Sequence, residues 1–566
     1  DLVEASYTFN YGYGTSIYTG AQRYSLKNFN IAQHKLELNG DNFNLKAYGT
    51  FEDSGESYIA DFVGFSVNDA YLANETWFGT YGGGVAAGII QAALQAQGGD
   101  PSFNPGTVGA ILSDPSLVSQ FHMGARNAAD ANRYAPGSTS FNTAKEATLQ
   151  STIPNGALFD DNSRFYHVEG QYNFKNEIRF VDLLAGLSYR QFQLRSNGTI
   201  FDDAGGGIDI NEWGAYLQAS RPLLDDNLKL TGSIRYDKNE NFDGQFSPRL
   251  SAVARIFDQQ NIRASFQTGF RNPTTQGQYI DLNVVTAQLL GGLPRFANKY
   301  SITQSSYTYE SVLEFQNEVL AGNPNAAAEL VPFDSYSPVK PEQIQAFEVG
   351  YKGLLGNKLF IDAAYYYNIY DDFITQIRVR QINSDINDNG SIESNEIFSP
   401  TPSALPLLLS GDHLNTFQIY TNTTKTVKAQ GAVFGLEYSL PAGYRLGFNY
   451  NWNQLISDLG TFQNDFNTPE HKVNVSFGNR RLTDRLGFNL AWRWQDAFRW
   501  ESSFAFADVP AVSTLDAQLN YLLPQYNATI KLGGSNLFNE QYVLSGGGPN
   551  IGAIYYVSLT FDQLFR

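Results

Sequence analysis

Cysteine is absent from this chain of 566 residues, which excludes disulfide bonds and thiolate metal sites. Long apolar runs are missing too. The most apolar short stretch, Gly84 to Leu94, falls well below the roughly 18 residues that a membrane-spanning helix needs, so a helical membrane protein is excluded. Basic residues are also scarce. The 38 Lys and Arg stand against 56 Asp and Glu, and the resulting net charge of -18 argues against nucleic acid as a partner.

Signatures of chemistry and of targeting are missing as well. Neither HExxH nor GxSxG occurs, and the histidines are scattered without metal-ligand spacing, so we expect each of them on the surface or in a lumen: His34, His122, His167, His413 and His471. We therefore predict that the protein is not an enzyme, although a barrel enzyme built from residues distant in sequence stays open as a third candidate. The chain starts without a basic or apolar signal segment, so we expect a mature or trimmed piece.

The residues that are present alternate. Over residues 340–566 the chain falls into segments of about ten residues in which apolar and polar positions take turns. One segment places Tyr444, Leu446, Phe448, Tyr450 and Trp452 on one face, and Arg445, Gly447, Asn449, Asn451 and Asn453 on the other. The segment from Leu486 to Trp494 repeats this pattern. Such alternation, with aromatic residues at the segment ends, is typical of strands that face lipid on one side and a wet interior on the other.

Eighteen candidate strands are separated by short turns on one side and long loops on the other. Short turns are expected near Asn39 to Asn42, Lys175 to Glu177, Leu224 to Asn227, Asp258 to Gln260, Leu355 to Asn357, Pro441 to Gly443, Arg480 to Asp484 and Pro524 to Tyr526. Strict alternation of turn lengths predicts an even strand count with both ends on the periplasmic side. The sequence thus predicts an all-β fold, a large transmembrane antiparallel β-barrel over residues 1–566.

The longest predicted extracellular loops are residues 52–162, 271–341 and 372–425. Each exceeds the length at which an unstructured connection is usual, so we expect them to carry structure and function. Within the loop of residues 52–162, Gly84 to Gln97 fits either a short helix or a flexible Gly/Ala segment.

A twelve-residue segment of the loop of residues 372–425 matches the calcium-binding loop of EF-hands. Oxygen side chains stand at positions 1, 3 and 5, Gly390 provides the sharp turn, and a glutamate ends the segment. The expected ligands are Asp385, Asn387, Asn389, the carbonyl of Ser391, Glu393 and Glu396. The alternative is a solvated Asn/Asp/Ser loop. We predict a weak, structural Ca²⁺ site that orders the loop without a catalytic part.

Several charged residues fall on the predicted lumen face by strand parity. They are Arg235, Arg445, Arg485, Arg493 and Glu348. They either pair across the barrel wall or meet a ligand, and parity alone does not assign them to a ligand.

Landmarks in a fixed order resemble the barrel of TonB-dependent outer-membrane receptors, especially those of the Bacteroidetes. They are Phe246 to Leu250, Phe270 to Pro273, Lys340 to Lys352 with Asp362 to Tyr367, Asn467 to Lys472, and Ser535 to Asn539. The last strand, Ile554 to Phe561, resembles the C-terminal signal of outer-membrane barrels. Two features of this chain depart from the family. Family members carry an N-terminal plug preceded by a TonB box, whereas this chain enters directly into a strand, and their barrels have 22 strands, whereas eighteen are counted here. Either strand pairs hide inside the long loops, or the plug and first strands precede residue 1. We expect a mixture of both, with the chain as the barrel portion of a larger receptor, without the plug.

The resemblance implies active uptake of a large or scarce nutrient, such as a glycan, a peptide or a metal chelate. Its implied partners are outer-membrane lipid and lipopolysaccharide, TonB if a plug exists upstream, and a surface lipoprotein. The outer membrane of a Gram-negative bacterium is the implied location. The rival hypothesis is a plugless barrel that serves as a structural or docking subunit of an outer-membrane protein complex.

Overall fold

The computed structural model describes residues 3–19, 22–153, 156–284, 286–382, 405–409, 416–457, 466–501 and 506–561. Strands dominate these residues. In chain order they are β1 (Glu4–Thr19), β2 (Arg23–Asn39), β3 (Phe43–Asp53), β4 (Tyr58–Ile59), β5 (Arg164–Asn173), β6 (Asp182–Leu194), β7 (Ile208–Leu223), β8 (Leu228–Asn239), β9 (Gln245–Phe257), β10 (Gln260–Arg271), β11 (Asp281–Val284), β12 (Ala287–Leu290), β13 (Ser306–Thr308), β14 (Glu342–Leu355), β15 (Leu359–Asp371), β16 (Ile374–Gln381), β17 (Thr416–Asn422), β18 (Val427–Ser439), β19 (Tyr444–Leu455), β20 (His471–Asn479), β21 (Leu486–Gln495), β22 (Phe498–Glu501), β23 (Phe506–Val509), β24 (Val512–Leu523), β25 (Ala528–Ser535) and β26 (Ile554–Phe561).

Helices occur only in the connections between the long strands of the described chain. They are α1 (Ala60–Tyr71), α2 (Asn74–Ala96), α3 (Pro105–Leu112), α4 (Pro115–Ala129), α5 (Thr139–Leu149), α6 (Thr275–Tyr279), α7 (Pro294–Lys299), α8 (Ile302–Ser305) and α9 (Tyr309–Leu320). None of these described helices has both the length and the apolar character needed to cross a membrane.

Nineteen of the described strands form one sheet. Eighteen of them are long and pair antiparallel in the order in which they follow along the chain, skipping the short strands of the loops, while the two-residue β4 pairs with β2. The prediction of a large antiparallel barrel sheet with eighteen strands is therefore confirmed. The 22 strands that the resemblance implied are not reached within the described residues.

The eight predicted short turns all join consecutive strands of this sheet, at what we call its short-turn end. Left-handed backbone makes several of them tight: φ is 55° at Asn357 and 46° at Asn527, a conformation that asparagine tolerates well. The opposite end, the long-loop end, departs from strict alternation. There β8 and β9 are joined by residues 240–244 alone.

Two loops at the long-loop end fold into one structure. Strands β11, β12 and β13 come from the connection between β10 and β14, which we call the first loop, and β16 and β17 come from the connection between β15 and β18, which we call the second loop. They form a five-stranded sheet in the order β11-β12-β17-β16-β13, which we call the loop sheet. Strand β17 pairs parallel with β12 and antiparallel with β16. The hairpin of one loop is thus held between strands of the other.

Two apolar clusters fix the loop sheet, and each draws residues from both loops. One contains Leu290, Phe296, Ile302, Val379, Phe417 and Ile419, and the other contains Tyr307, Val312, Phe315, Ala326, Ile382 and Leu408. At the base, the buried Glu342 accepts hydrogen bonds from Arg271 at 2.7 Å and from the Ile374 N–H at 3.0 Å. Because the clusters are shared, neither loop can keep this structure without the other.

Residue contacts divide the chain into two compact units, residues 1–13, 30–53 and 161–566, and residues 14–29 and 54–160. The second unit holds α1 to α5, so the segment from Gly84 to Gln97 is helical up to Ala96. Close packing of α2 on α4 uses small residues, since a Cβ on Gly84 or Gly88 would meet Ala125 or Phe121. Helices α3 and α4 begin at prolines that follow the capping residues Asn104 and Asp114.

Candidate functional site

The large sheet has one apolar face. Register partners on successive strands form apolar rows, such as Leu45, Gly170, Leu187, Ala215, Tyr236 and Phe246. Leu187 and Phe246 are 68% and 65% exposed, which only an apolar solvent makes favourable for a whole face. Aromatic rings gather toward both ends of the strands. Tyr444 stacks on Phe477 near the short turns, and Trp452 and Trp492 lie near the long loops. This face is the lipid-facing side of a membrane barrel.

The opposite face is polar, and several of its charges are paired along the wall. Of the five predicted lumen charges, four have an ion-pair partner: Arg235 with Asp237 at 2.6 Å, Arg445 with Glu437 at 3.4 Å, Arg493 with Asp516 at 2.7 Å, and Glu348 with Arg263 at 3.0 Å. The alternative in which these charges pair across the wall is therefore the one observed. Arg485 lies just before β21, in the short-turn region.

Glycines let the polar side chains lie flat on this inner wall. A Cβ on Gly214 would overlap the Arg235–Asp237 pair, and a Cβ on Gly350 would meet the guanidinium of Arg263. Tyrosines lie over glycines in the same way, namely Tyr216 over Gly186, Tyr366 over Gly431 and Tyr556 over Gly533. At these positions the side chains lie along the wall instead of projecting into the interior.

A cavity of about 610 Å³ opens on this inner wall close to the long-loop end, among β6, β7, β8 and β10. Its lining includes Arg190, Glu212 and Asn239, which are register partners on three successive strands. Asn272 and Gln278 of the first loop close it from above the strand ends. Arg190 and Glu212 are 3.7 Å apart, and Glu212 Oε1 accepts hydrogen bonds from Asn239 at 2.8 Å and Asn272 at 3.2 Å.

The connection between β6 and β7 is tied to the loop sheet beside this cavity. Asp202 accepts hydrogen bonds from Lys299 at 3.0 Å and from Arg295. Partial burial acts to raise the pKa of Asp202, but the hydrogen bonds and charges of Arg295 and Lys299 outweigh it and hold that pKa below its usual value. Tyr300 donates to Asp281 at 2.9 Å, and burial together with the charge of Asp281 raises the pKa of the phenol. These contacts hold in place the segment around Asn272 and Gln278 that closes the cavity, which we call its roof.

The predicted calcium ligands, Asp385, Asn387, Asn389, Ser391, Glu393 and Glu396, lie outside the described residues, so this site stays a prediction. Within the described ranges no group of three or more His, Asp or Glu side chains is placed to hold a metal ion. Two histidines lie on the apolar face, where the hydroxyl of Tyr7 is hydrogen-bonded to His34 Nδ1 at 2.7 Å and that of Tyr450 to His471 Nδ1 at 2.8 Å. His167 is buried on the polar face and contacts Glu169 at 3.0 Å.

Sequence reasoning missed Arg190 and Glu212. Strand parity gives no reason to single out either residue among the polar residues of the wall, because only the register of β6 with β7 brings the two together. One signal pointed to the right place. The segment Phe270 to Pro273 is one of the landmarks of the family resemblance, and Asn272 within it donates to Glu212.

Comparisons with known proteins agree on one class. The family profile described as TonB dependent receptor-like, beta-barrel matches residues 116–537. No curated protein sequence matches the chain.

Similar solved structures share the fold at low sequence identity. A mutant of the ferric enterobactin receptor PfeA from Pseudomonas aeruginosa has 12% identity and a TM-score of 0.54, with 99% of this chain and 67% of that chain covered. The FrpB iron transporter from Neisseria meningitidis has 10% identity and a TM-score of 0.51, with 99% and 68% covered. The copper transporter OprC has 11% identity and a TM-score of 0.55, with 99% and 70% covered.

Proposed function

Because the chain belongs to the family of TonB-dependent receptor-like β-barrels, we propose that it takes up a large or scarce nutrient with energy delivered through TonB. Proteins of this family are transporters and not enzymes, and they act with TonB. They lie in the outer membrane of Gram-negative bacteria, which is where this chain lies as well. The alternative of a structural docking subunit gains no support from the matched proteins named above.

The polar inner wall is the observation that carries the proposal. Several of its charged side chains have ion-pair partners on the wall, such as Asp516 for Arg493, and three of its tyrosines lie over glycines. A wall of this kind leaves the interior free for water, ligand or a further protein segment, whereas a small barrel with a structural role would fill its interior with side chains. This supports passage of a ligand through the interior.

The proposed ligand is a metal chelate ahead of a glycan or a peptide. The solved structures of similar fold are described as a ferric enterobactin receptor, an iron transporter and a copper transporter, and these descriptions motivate the order. The proposal also includes a surface lipoprotein partner, as in the Bacteroidetes receptors that the segment Lys340 to Lys352 resembles. We further propose that the segment from Asp385 to Glu396 binds Ca²⁺ and orders its loop.

Uptake of radiolabelled iron by the native host tests the proposal. The strain that produces the full-length protein should accumulate iron from chelates under iron limitation, and the accumulation should fall when either this protein or TonB is removed. A variant with Leu320→Ala, a substitution at an 87% exposed side chain, serves as the matched control and should transport normally. The same assay is repeated with radiolabelled oligosaccharides and peptides. If the strains with and without the protein accumulate equal amounts of every labelled compound, the uptake function is contradicted.

A further inference from the structure

Arg190 differs from Arg235, the other arginine in the lining of the cavity, and from Arg263 in what its guanidinium contacts. Arg235 donates to both oxygens of Asp237, at 2.6 and 2.7 Å, and to Ser188 at 3.1 Å. Arg263 donates to Glu348 and Asp362 at 3.0 Å each. Among the described residues Arg190 has no hydrogen-bond partner, and its charged neighbour Glu212 lies at 3.7 Å, beyond hydrogen-bond distance.

The neighbouring carboxylate is already held by other groups. Glu212 Oε1 accepts from the amides of Asn239 and Asn272, and the Glu212 side chain is only 17% exposed. Uncharged donors therefore fix Oε1, while Oε2, the oxygen that faces Arg190, stays 3.7 Å from Nη1 and accepts no hydrogen bond from it. The arginine side chain is 43% exposed in the cavity, so a ligand can reach it.

A guanidinium carries five N–H donors in a planar fork that matches the two oxygens of a carboxylate or a phosphate. The cavity of about 610 Å³ around Arg190 is large enough for such a group and the part of a ligand that bears it. Its lining adds hydroxyl groups from Ser188, Thr275 and Ser247, and apolar surface from Phe192 and Ile210.

We propose that Arg190 binds an oxyanion group of the transported ligand, a carboxylate or a phosphate, inside this cavity. The inference rests on the proposed function only for the route by which a ligand arrives, and it makes the preferred ligand acidic.

Calorimetric titration of the full-length detergent-solubilised protein tests the proposal, with citrate and inorganic phosphate as probes at constant ionic strength. Arg190→Gln should weaken the binding of the preferred probe about tenfold or more, because a charge-assisted hydrogen bond is lost. Arg249→Gln is the matched control. Arg249 is an exposed arginine on the polar face of β9, it lies outside the cavity, and it has no ion pair among the described residues. This control should bind like the unchanged protein.

The two probes separate the two sources of the oxyanion, since a carboxylate site prefers citrate and a phosphate site prefers phosphate. Arg190→Lys keeps the charge but loses the fork, so it should restore binding only in part. Failure of both probes to bind the unchanged protein, equal binding by Arg190→Gln, or an equal loss in Arg249→Gln would overturn the inference. TonB-dependent uptake is measured separately, in strains that produce the same variants. Normal uptake together with unchanged probe binding by Arg190→Gln would therefore contradict the oxyanion site and leave the uptake function supported.

Discussion

The loop sheet leads to a prediction about a residue in one loop and the stability of the other. Ile419 lies on β17, in the second loop, and its side chain is fully buried among Leu290, Phe296 and Val379. Replacing it with alanine leaves a cavity in a cluster to which both loops contribute. The cost for a fully buried isoleucine is about 2–5 kcal/mol. Even the lower figure raises the open fraction of the loop sheet about thirtyfold.

Limited proteolysis of the folded protein, with the cleavage sites mapped by mass spectrometry, measures this opening. Ile419→Ala should speed cleavage within residues 275–340 of the first loop, although the substitution lies in the second. The long strands should keep their resistance, because the large sheet does not depend on this cluster. Leu320→Ala, at an exposed position of α9, should change nothing. Faster cleavage in the second loop alone would show that the loops fold independently and would refute the reasoning.

Three further predictions concern the wall, the roof of the cavity and the calcium segment. Gly214→Ala should lower the thermal unfolding temperature of the barrel, because the added Cβ overlaps the ion pair above it, while Gly232→Ala, where the space is open, should not; equal melting temperatures would contradict this. The folded-state pKa of Asp202 lies below its usual 3.8, so the stability that this carboxylate contributes to the roof is present above about pH 4 and is lost below it. Amide hydrogen exchange in the roof should therefore become faster below about pH 4, and Asp202→Asn should abolish that pH dependence. Terbium bound by the intact protein should luminesce and compete with Ca²⁺, and Glu396→Gln should remove the signal if the segment binds calcium.

The large sheet could be predicted because its information is local. An alternating strand such as Tyr444–Leu455 shows its two faces within its own twelve residues, and a turn such as Pro441 to Gly443 is marked by its own sequence. Eighteen strands and all eight short turns follow from such patterns. The loop sheet carries no comparable signal. Parallel pairing of Leu289 on β12 with Gln418 on β17 joins residues that are far apart in the chain, and short strands of four to seven residues show little periodicity.

The candidate site lies between these two cases. Parity put the charges of the inner wall on the correct face, but which of them is available to a ligand depends on distances that parity does not give. Arg235 and Arg190 are both lumen-side arginines on neighbouring parts of the wall, and the difference between them is one partner. Asp237 lies two residues from Arg235 on the same strand and accepts hydrogen bonds from it with both carboxylate oxygens. Glu212 lies opposite Arg190 on the neighbouring strand, and its Oε2 is 3.7 Å from Arg190 Nη1. Of the two arginines that line the cavity, Arg190 is therefore the one at which a charged group of the ligand gains most.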